Sequence, residues 1–564
     1  MNNLLVQRPL RLYAVLAGLL LCGAASAVQA GPQVKIDSGW VEGAVVNNAR
    51  LFRNIPFAEP PLGALRWKAP QPAAPWGGVL QAVGAGKICV QGGSEVSPSL
   101  GEEDCLVLHV TSPTNATASS KLPVMVWIHG GGFQVGSARN YDATEYANQH
   151  NVVVVSTNYR MGAMGFLALD GLRSEAADQS TGNYGLQDQI AALQWVKRNV
   201  AAFGGNPGNV TIAGESAGAI SVMSLLTSPK AAGLFHRAIA QSVLALGEQG
   251  EGSVHSMSTS LSKGGDFAAQ NGCPSGPTQV ACMRGKSGAE IGQNSQFAFS
   301  ALQRAIETDL PWAPTVDGVV LGDFPRKLIR QGNFHRVPVL IGSNQGEVKG
   351  PIGITEFVNN QRLTSDQYNT ILQSLAPSVT WVGMRATYPV IGYGSPALAA
   401  NALLTDATFA CATQSLRQDL MRYTQVYGYE FIDPNSEPAL GPASVAISND
   451  TRGSSHADEL AYLFNRQSPI GYYLTNMSVK QLELSGRMTA YWANFIRGGN
   501  PNGSGLPNWK AFSNGVLGLE REGVMMLEPG KAKMVYSSVL LSDFNDDHKC
   551  LFWGPILPLA GIFM

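Results

Sequence analysis

Val210-Thr211-Ile212-Ala213 runs straight into Gly214-Glu215-Ser216-Ala217-Gly218, which runs straight into Ala219-Ile220-Ser221-Val222-Met223. The order is an apolar strand, a pentapeptide of the form G-x-S-x-G and an apolar helix. Such a turn has to be sharp enough to lift Ser216 out of the sheet with its hydroxyl exposed. Glycines two residues to either side permit it, because a side chain there would clash with the neighbouring strand and helix. The pentapeptide alone recurs by chance in long proteins. Its strand-and-helix context makes Ser216 a candidate nucleophile.

Upstream, Val124-Met125-Val126-Trp127-Ile128 is short and wholly apolar, the pattern of a strand buried on both faces of a parallel sheet. It leads into His129-Gly130-Gly131-Gly132-Phe133. Three glycines after a buried strand suit a backbone that must approach something closely. The chemical reading is a set of amide N–H groups aimed at the charge of a tetrahedral intermediate. A flexible glycine turn is the plain alternative, and the nucleophile elbow downstream weighs against it.

A serine nucleophile needs a base, and the base needs an orienting acid, in the chain order Ser, Asp/Glu, His. Five of the eight histidines follow Ser216: His236, His255, His335, His456 and His548. His456 lies in Gly453-Ser454-Ser455-His456-Ala457-Asp458-Glu459-Leu460, beyond the strand-like Val426-Tyr427-Gly428-Tyr429-Glu430-Phe431 and a polar stretch, and so on a loop. Catalytic side chains favour loops past the ends of buried strands. His335 precedes the strand Val337-Pro338-Val339-Leu340-Ile341 and reads as a surface residue. Glu347 follows that strand's end, where the acid belongs. Asp317 is a rival, but Asp317-Gly318 reads as an ordinary turn. Asp406 is a weaker rival.

Leu186, Ile190, Leu193, Val196, Val200 and Phe203 recur at steps of three and four, and Gly204-Gly205 stops the pattern. An amphipathic helix between wholly apolar strands is a βαβ crossover, which implies an α/β chain with a mainly parallel sheet covered on both faces. At 564 residues the chain has no Ser/Pro linker, internal repeat or charge block to divide it, so residues 31–564 read as one domain. A formal net charge of −1 gives no electrostatic footprint for nucleic acid. A Gly-rich phosphate loop and a metal-spaced Cys/His cluster are both missing from the sequence, so no cofactor and no metal is implied.

With these motifs in order, the chain resembles the type-B carboxylesterase family, which includes carboxylesterases, cholinesterases and bile-salt-activated lipases. The resemblance covers nearly the whole mature chain. It is carried further by Phe52-Arg53-Asn54-Ile55-Pro56-Phe57-Ala58, Pro60-Pro61-Leu62-Gly63 and Leu65-Arg66-Trp67. Glu102-Glu103-Asp104-Cys105-Leu106, Asn158-Tyr159-Arg160 and Gly165-Phe166-Leu167 continue the series. Gly182-Asn183-Tyr184-Gly185-Leu186-Gln187-Asp188-Gln189 and Phe203-Gly204-Gly205-Asn206-Pro207 complete it. The resemblance implies the α/β-hydrolase fold: a large, mostly parallel central sheet covered by helices, with insertions near residues 245–335 and 350–425 forming a gorge over the site. It implies Ser216 as nucleophile, Glu347 as acid and His456 as general base, with Gly131, Gly132 and Ala217 as oxyanion-hole amides. Glu215, beside the nucleophile, reads either as a group tuning the site's field or as a buried structural carboxylate.

Residues 1–30 read differently from the rest. Arg8 and Arg11 precede an apolar run over residues 12–22, followed by Ala25-Ser26-Ala27 and Val28-Gln29-Ala30. This reads as a secretory signal peptide cut after Ala30, with Ala27 the alternative. The run is too short for a stable membrane anchor, and Leu21 suits a lipidation site at Cys22 poorly. The protein is therefore expected to be secreted or periplasmic. Removing the signal leaves six of the seven cysteines, which by themselves permit fifteen pairings. The family resemblance selects Cys89–Cys105, Cys273–Cys282 and Cys411–Cys550. Five Asn-x-Ser/Thr triplets, beginning at Asn115, Asn209, Asn449, Asn476 and Asn502, read as chance.

In cholinesterases a tryptophan between the first two paired cysteines holds the quaternary ammonium. Residues 90–104 here contain no aromatic residue, which argues against a choline ester. Thr308-Asp309-Leu310-Pro311-Trp312-Ala313-Pro314 resembles the region lining the acyl pocket; Leu310 or Trp312 would limit acyl size there, unless Trp312 is core packing. The reading is a serine esterase acting through an acyl-enzyme on small-molecule esters with short, medium or aromatic acyl groups. The alternatives are a lipase, amidase or xenobiotic-ester hydrolase on the same residues, and a non-catalytic adhesion homologue. Members of that last kind characteristically lack the nucleophile, which this chain has.

Overall fold

Residues that alternate along one strand end up in two different cores, and this explains the apolar runs at the centre of the sheet. The computed structural model describes residues 31–92, 99–247, 252–295, 310–375, 380–467, 476–512, 522–537 and 543–556. Strand β4 (Leu122–Ile128) sends Val124, Val126 and Ile128 to one cluster and Met125 and Trp127 to the other. Its neighbours behave alike. In β5 (Val153–Thr157), Val153 and Val155 oppose Val154, and in β6 (Gly205–Glu215), Val210 and Ile212 oppose Ala213. With helices on both faces, residues 124–128, 153–157 and 210–213 are buried from both sides, which favours apolar residues over most of these stretches.

Among the described residues the main sheet has eleven strands. The antiparallel flank consists of β1 (Ala44–Val46), β2 (Ala49–Pro56) and β3 (Val107–Pro113), which pairs antiparallel with β5. A parallel block then runs in the order β5, β4, β6, β7 (Arg237–Gln241), β8 (Val339–Asn344), β9 (Val426–Phe431) and β10 (Glu522–Glu528). β11 (Lys531–Ser537) closes the far edge antiparallel to β10.

Helix α1 (Tyr184–Asn199) carries the periodic stripe read from the sequence; it tightens into a 3-10 turn over Val200–Phe203 and stops at Gly204, φ 96°. Its first turns are buried all round, which the stripe does not indicate. Asp188 is fully buried there and bidentate to Arg160, at 2.8 Å from both Nε and Nη2. α2 (Ala217–Thr227) packs with α1 on one face of the sheet. The long helix over Val479–Gly498 supplies Leu484, Met488, Trp492, Phe495 and Ile496 to the other.

Both intervals read as insertions contain helices. They are Met257–Gln270, Gln279–Gly285, Gly288–Asn294 and Pro325–Arg330 in the first. The second holds Lys349–Asn359, Ser365–Leu375, Thr380–Thr387 and Pro396–Thr405. Disulfides join Cys89 to Cys105, Cys273 to Cys282 and Cys411 to Cys550. Among the described residues no helix is long and apolar enough to cross a membrane. The segment read as a signal peptide, and Thr308 and Asp309, lie outside the described residues.

Candidate active site

The carboxyl ends of the central strands converge on one place. Ser216 sits between β6 and α2 with φ 56° and ψ −124°, a conformation that costs a side-chain-bearing residue of order 1–3 kcal/mol. The surroundings hold it there: its N–H donates to Gln241 O at the end of β7 (2.9 Å), and its carbonyl accepts from Ile220 N (3.0 Å). Gly214 and Gly218 are the two positions that need glycine. A Cβ on Gly214 would lie 2.5 Å from Gly218 O, and one on Gly218 would lie 2.1 Å from Ile128 O. The elbow is thus wedged against the end of β4. Ser216 is 8% exposed, so its hydroxyl lies at the floor of the site rather than on an open surface.

The segment after β4 touches the elbow directly. A Cβ on Gly130 would come within 2.7 Å of Glu215 O and 3.0 Å of Ser216 Cβ. Gly131 and Gly132 follow with φ 105° and 62°, both left-handed, and a Cβ on Gly131 would strike Val135 O at 2.0 Å. Ala217 opens α2, so its N–H is one of the helix's first-turn amides without an intrahelical acceptor. Helix end and glycine turn therefore flank the serine, where developing negative charge would be met by amide dipoles.

Glu347 lies just past β8, fully buried, and its two oxygens do different things. Oε1 accepts from Ser242 Oγ (2.6 Å) and Asn344 N (2.7 Å), while Oε2 faces His456 Nδ1 at 2.7 Å. The His456 N–H also donates to the Glu347 carbonyl, at 3.1 Å. The loop carrying His456 has left-handed residues on either side, Ser454 (φ 52°) and Ala457 (φ 68°). Asp458 fixes that loop by accepting from Ser436 Oγ (2.6 Å), Ala439 N (2.8 Å) and Ser455 N (2.9 Å). With Nδ1 on Glu347, the opposite nitrogen faces the elbow: Nε2 is 3.1 Å from Oε1 of Glu215, the residue before Ser216.

The rivals are placed elsewhere. Asp317 Oδ1 accepts from the N–H groups of Val319, Val320 and Leu321, an ordinary Asx turn. Asp406 pairs with His548. His335, half-buried, bonds to Ser228 O through Nε2 at 2.8 Å. Trp312 is held as core, its indole N–H on Ser295 O (3.0 Å) and its ring edge-on to Phe267.

Sequence reasoning gave no role to Ser242, Gln241, Asn344 or Glu459. Glu459 is fully buried and accepts from Gln241 Nε2 (2.9 Å) and Asn344 Nδ2 (2.7 Å), and Trp492 Nε1 in turn donates to Gln241 Oε1 (3.0 Å). Three buried glutamates therefore surround one imidazole. Burial opposes a charge on His456, but Glu215, Glu347 and Glu459 outweigh it and raise its basicity. Burial pushes Glu215 up to about 8 and Glu459 up to about 7, with the other carboxylates adding to the rise. Glu459 lies three residues past His456 on the same loop, the local cue that it joins the site.

Around neutral pH the ring and Glu215 compete for a proton, and the ring serves as a base only when neutral. Glu215→Gln removes a charge that favours the imidazolium. The acid limb of kcat/KM against pH should then move to lower pH in that variant, measured from pH 5 to 9 on a neutral ester. An unmoved limb, or one displaced upward, would contradict a charge on Glu215 felt by the ring.

Comparison with known proteins agrees over the same span. A family profile described as Carboxylesterase family matches residues 30–537. Carboxylesterase 1D of Rattus norvegicus is 35% identical over 544 residues, covering 89% of this chain and 92% of the relative. Pyrethroid hydrolase Ces2e of Rattus norvegicus is 34% identical, covering 89% and 88%. Cocaine esterase of Homo sapiens is 33% identical, covering 97% and 96%.

Proposed function

The chain belongs to the carboxylesterase family and is a carboxylic-ester hydrolase, and from that premise we propose that it works through an acyl-enzyme on Ser216, with His456 as base and Glu347 as orienting acid. The observation that carries this is the relay of contacts from Ser242 and Asn344 through Glu347 to His456, whose Nε2 faces the elbow beside Glu215. His456 takes the Ser216 proton as Oγ attacks the acyl carbon. The amides of Gly131, Gly132 and Ala217 receive the carbonyl oxygen as it becomes negative. Collapse of the intermediate expels the alcohol, which leaves with the proton from His456. Water then repeats the sequence on the acyl-enzyme and releases the acid.

Short, medium and aromatic acyl groups are the range proposed. The family's names include hydrolases of pyrethroid and cocaine, so bulky aromatic esters belong in the same survey. Residues 1–30 are proposed as a signal peptide removed near Ala30, leaving one hydrolase domain over 31–564. The three disulfides support export, since such bonds persist in oxidising compartments.

The test is kcat/KM for p-nitrophenyl esters from acetate to laurate. A maximum between acetate and hexanoate is expected. A maximum at the long chains would replace this reading with a lipase, and no hydrolysis at any length would contradict the residue assignments.

A further inference from the structure

A second imidazole held between carboxylates lies apart from the first, fully enclosed and unused by the mechanism. His548 Nδ1 is 2.6 Å from Asp406 Oδ1, and its Nε2 bonds to Glu430 Oε1. All three side chains are buried. Burial opposes charge on the ring, but Glu430 and Asp406 overcome it and raise its basicity. Tyr388 Oη donates to the other Asp406 oxygen (2.6 Å), and Trp553 Nε1 donates to Tyr388 Oη (2.6 Å).

The three members come from distant parts of the chain. Glu430 is on β9, whose register sets it beside Ser343 of β8, four residues before Glu347. His548 belongs to the C-terminal segment, which the Cys411–Cys550 disulfide fastens to the same region. Asp406 opens a single π-turn, Asp406–Ala410, inserted between the helices Pro396–Thr405 and Cys411–Met421. Such a turn carries one residue more than an α-turn and so re-aims the side chains within it. Here the re-aimed side chain is Phe409, whose ring centre lies 5.3 Å from that of His456, tilted 49°. Thr408 O, beside it, accepts from Ala245 N at 2.9 Å.

Buried ion clusters of this kind seldom add stability over apolar packing of the same volume, though they can specify one geometry. The geometry specified here is that of the π-turn, tied at its first residue to a strand of the active-site sheet. We propose that Asp406, Glu430 and His548 act as positioning residues for ester hydrolysis, fixing the π-turn so that Phe409 holds the His456 ring in line with Ser216. This rests on the assignment of Ser216 and His456 above.

The test uses the full chain, with active sites counted by fluorophosphonate titration so that kcat is expressed per competent serine. His548→Gln, Phe409→Ala and the double variant are compared with the parent. Misplacing a catalytic group by about 1 Å can cost on the order of a hundredfold, and a fall of about tenfold or more in kcat per titrated site is expected for each single variant, with a smaller change in KM. The double variant should be no slower than Phe409→Ala alone, because both changes release the same ring. If His548→Gln is not recovered folded, Asp406→Asn carries the same comparison. An unchanged kcat per titrated site in the clamp variant, with only Tm or the titratable fraction lowered, would overturn the proposal. So would a double variant as slow as the product of the two singles. Failure of the parent to titrate at Ser216 would instead overturn the catalytic assignment.

Discussion

Ser216→Ala is expected to lower kcat/KM on p-nitrophenyl acetate by on the order of 10⁵-fold, with Tm little changed. The loss is large because the other groups of the site act only through the serine oxygen. Without it His456 has no proton to take, and the amides of Gly131, Gly132 and Ala217 have no covalent intermediate to stabilise. The residual rate comes from water attacking a bound, polarised ester. Tm is spared because alanine inherits the same strained turn: φ 56° is set by Gly214 and Gly218 wedged against Ile128, not by the hydroxyl. A variant retaining more than about a hundredth of parental activity, far above the residue left when a triad member is lost, would mean that another group is the nucleophile.

Glu347→Gln should cost about 10³–10⁴ in kcat, and the structure says why an isosteric change does so much. Two donors, Ser242 Oγ–H and the Asn344 N–H, converge on Oε1. A glutamine must turn its carbonyl oxygen toward them, which leaves its NH2 facing His456 Nδ1. That nitrogen must then accept, the ring proton moves to Nε2, and the nitrogen facing the elbow can no longer take a proton from Ser216. Adding Ser242→Ala removes one of the two donors that fix the amide's orientation. Measured kcat for Glu347→Gln, with and without that second change, separates this tautomer effect from loss of charge alone. A Glu347→Gln enzyme within tenfold of the parent would contradict the orienting role.

Local patterns made part of this site legible. The elbow, the glycine turn after β4 and the acid after β8 each follow an apolar strand by a few residues, and both the strand and the turn announce themselves in composition. The central parallel strands were legible for the same reason, since burial on both faces leaves a continuous apolar run. Packing-defined features were not. Gln241, Ser242, Asn344 and Glu459 come from three separate segments and meet only because β7, β8 and the His456 loop end side by side. Asp406 illustrates the limit from the other side. As an aspartate between Glu347 and His456 in the chain it was a weaker rival for the acid, and only tertiary structure shows that its imidazole is His548. The π-turn has no composition of its own. Nothing in Thr405-Asp406-Ala407-Thr408-Phe409-Ala410 marks it off from the helices on either side. Trp312 gave two readings in the sequence, and its bonds to Ser295 and Phe267 favour the core.

Rapid mixing of the enzyme with p-nitrophenyl acetate, followed by acid quench and peptide mass analysis, tests the central claim most directly. The account predicts a burst of nitrophenol approaching one equivalent per chain and a single acetyl group on the peptide containing Ser216. Both should be lost in Ser216→Ala. Steady turnover with no burst and no acylated peptide at short times could still reflect fast deacylation, so the quench is repeated at low pH, where the His456-dependent hydrolysis of the acyl-enzyme slows. An acetyl group found on another residue, or none under either condition while turnover persists, would contradict it.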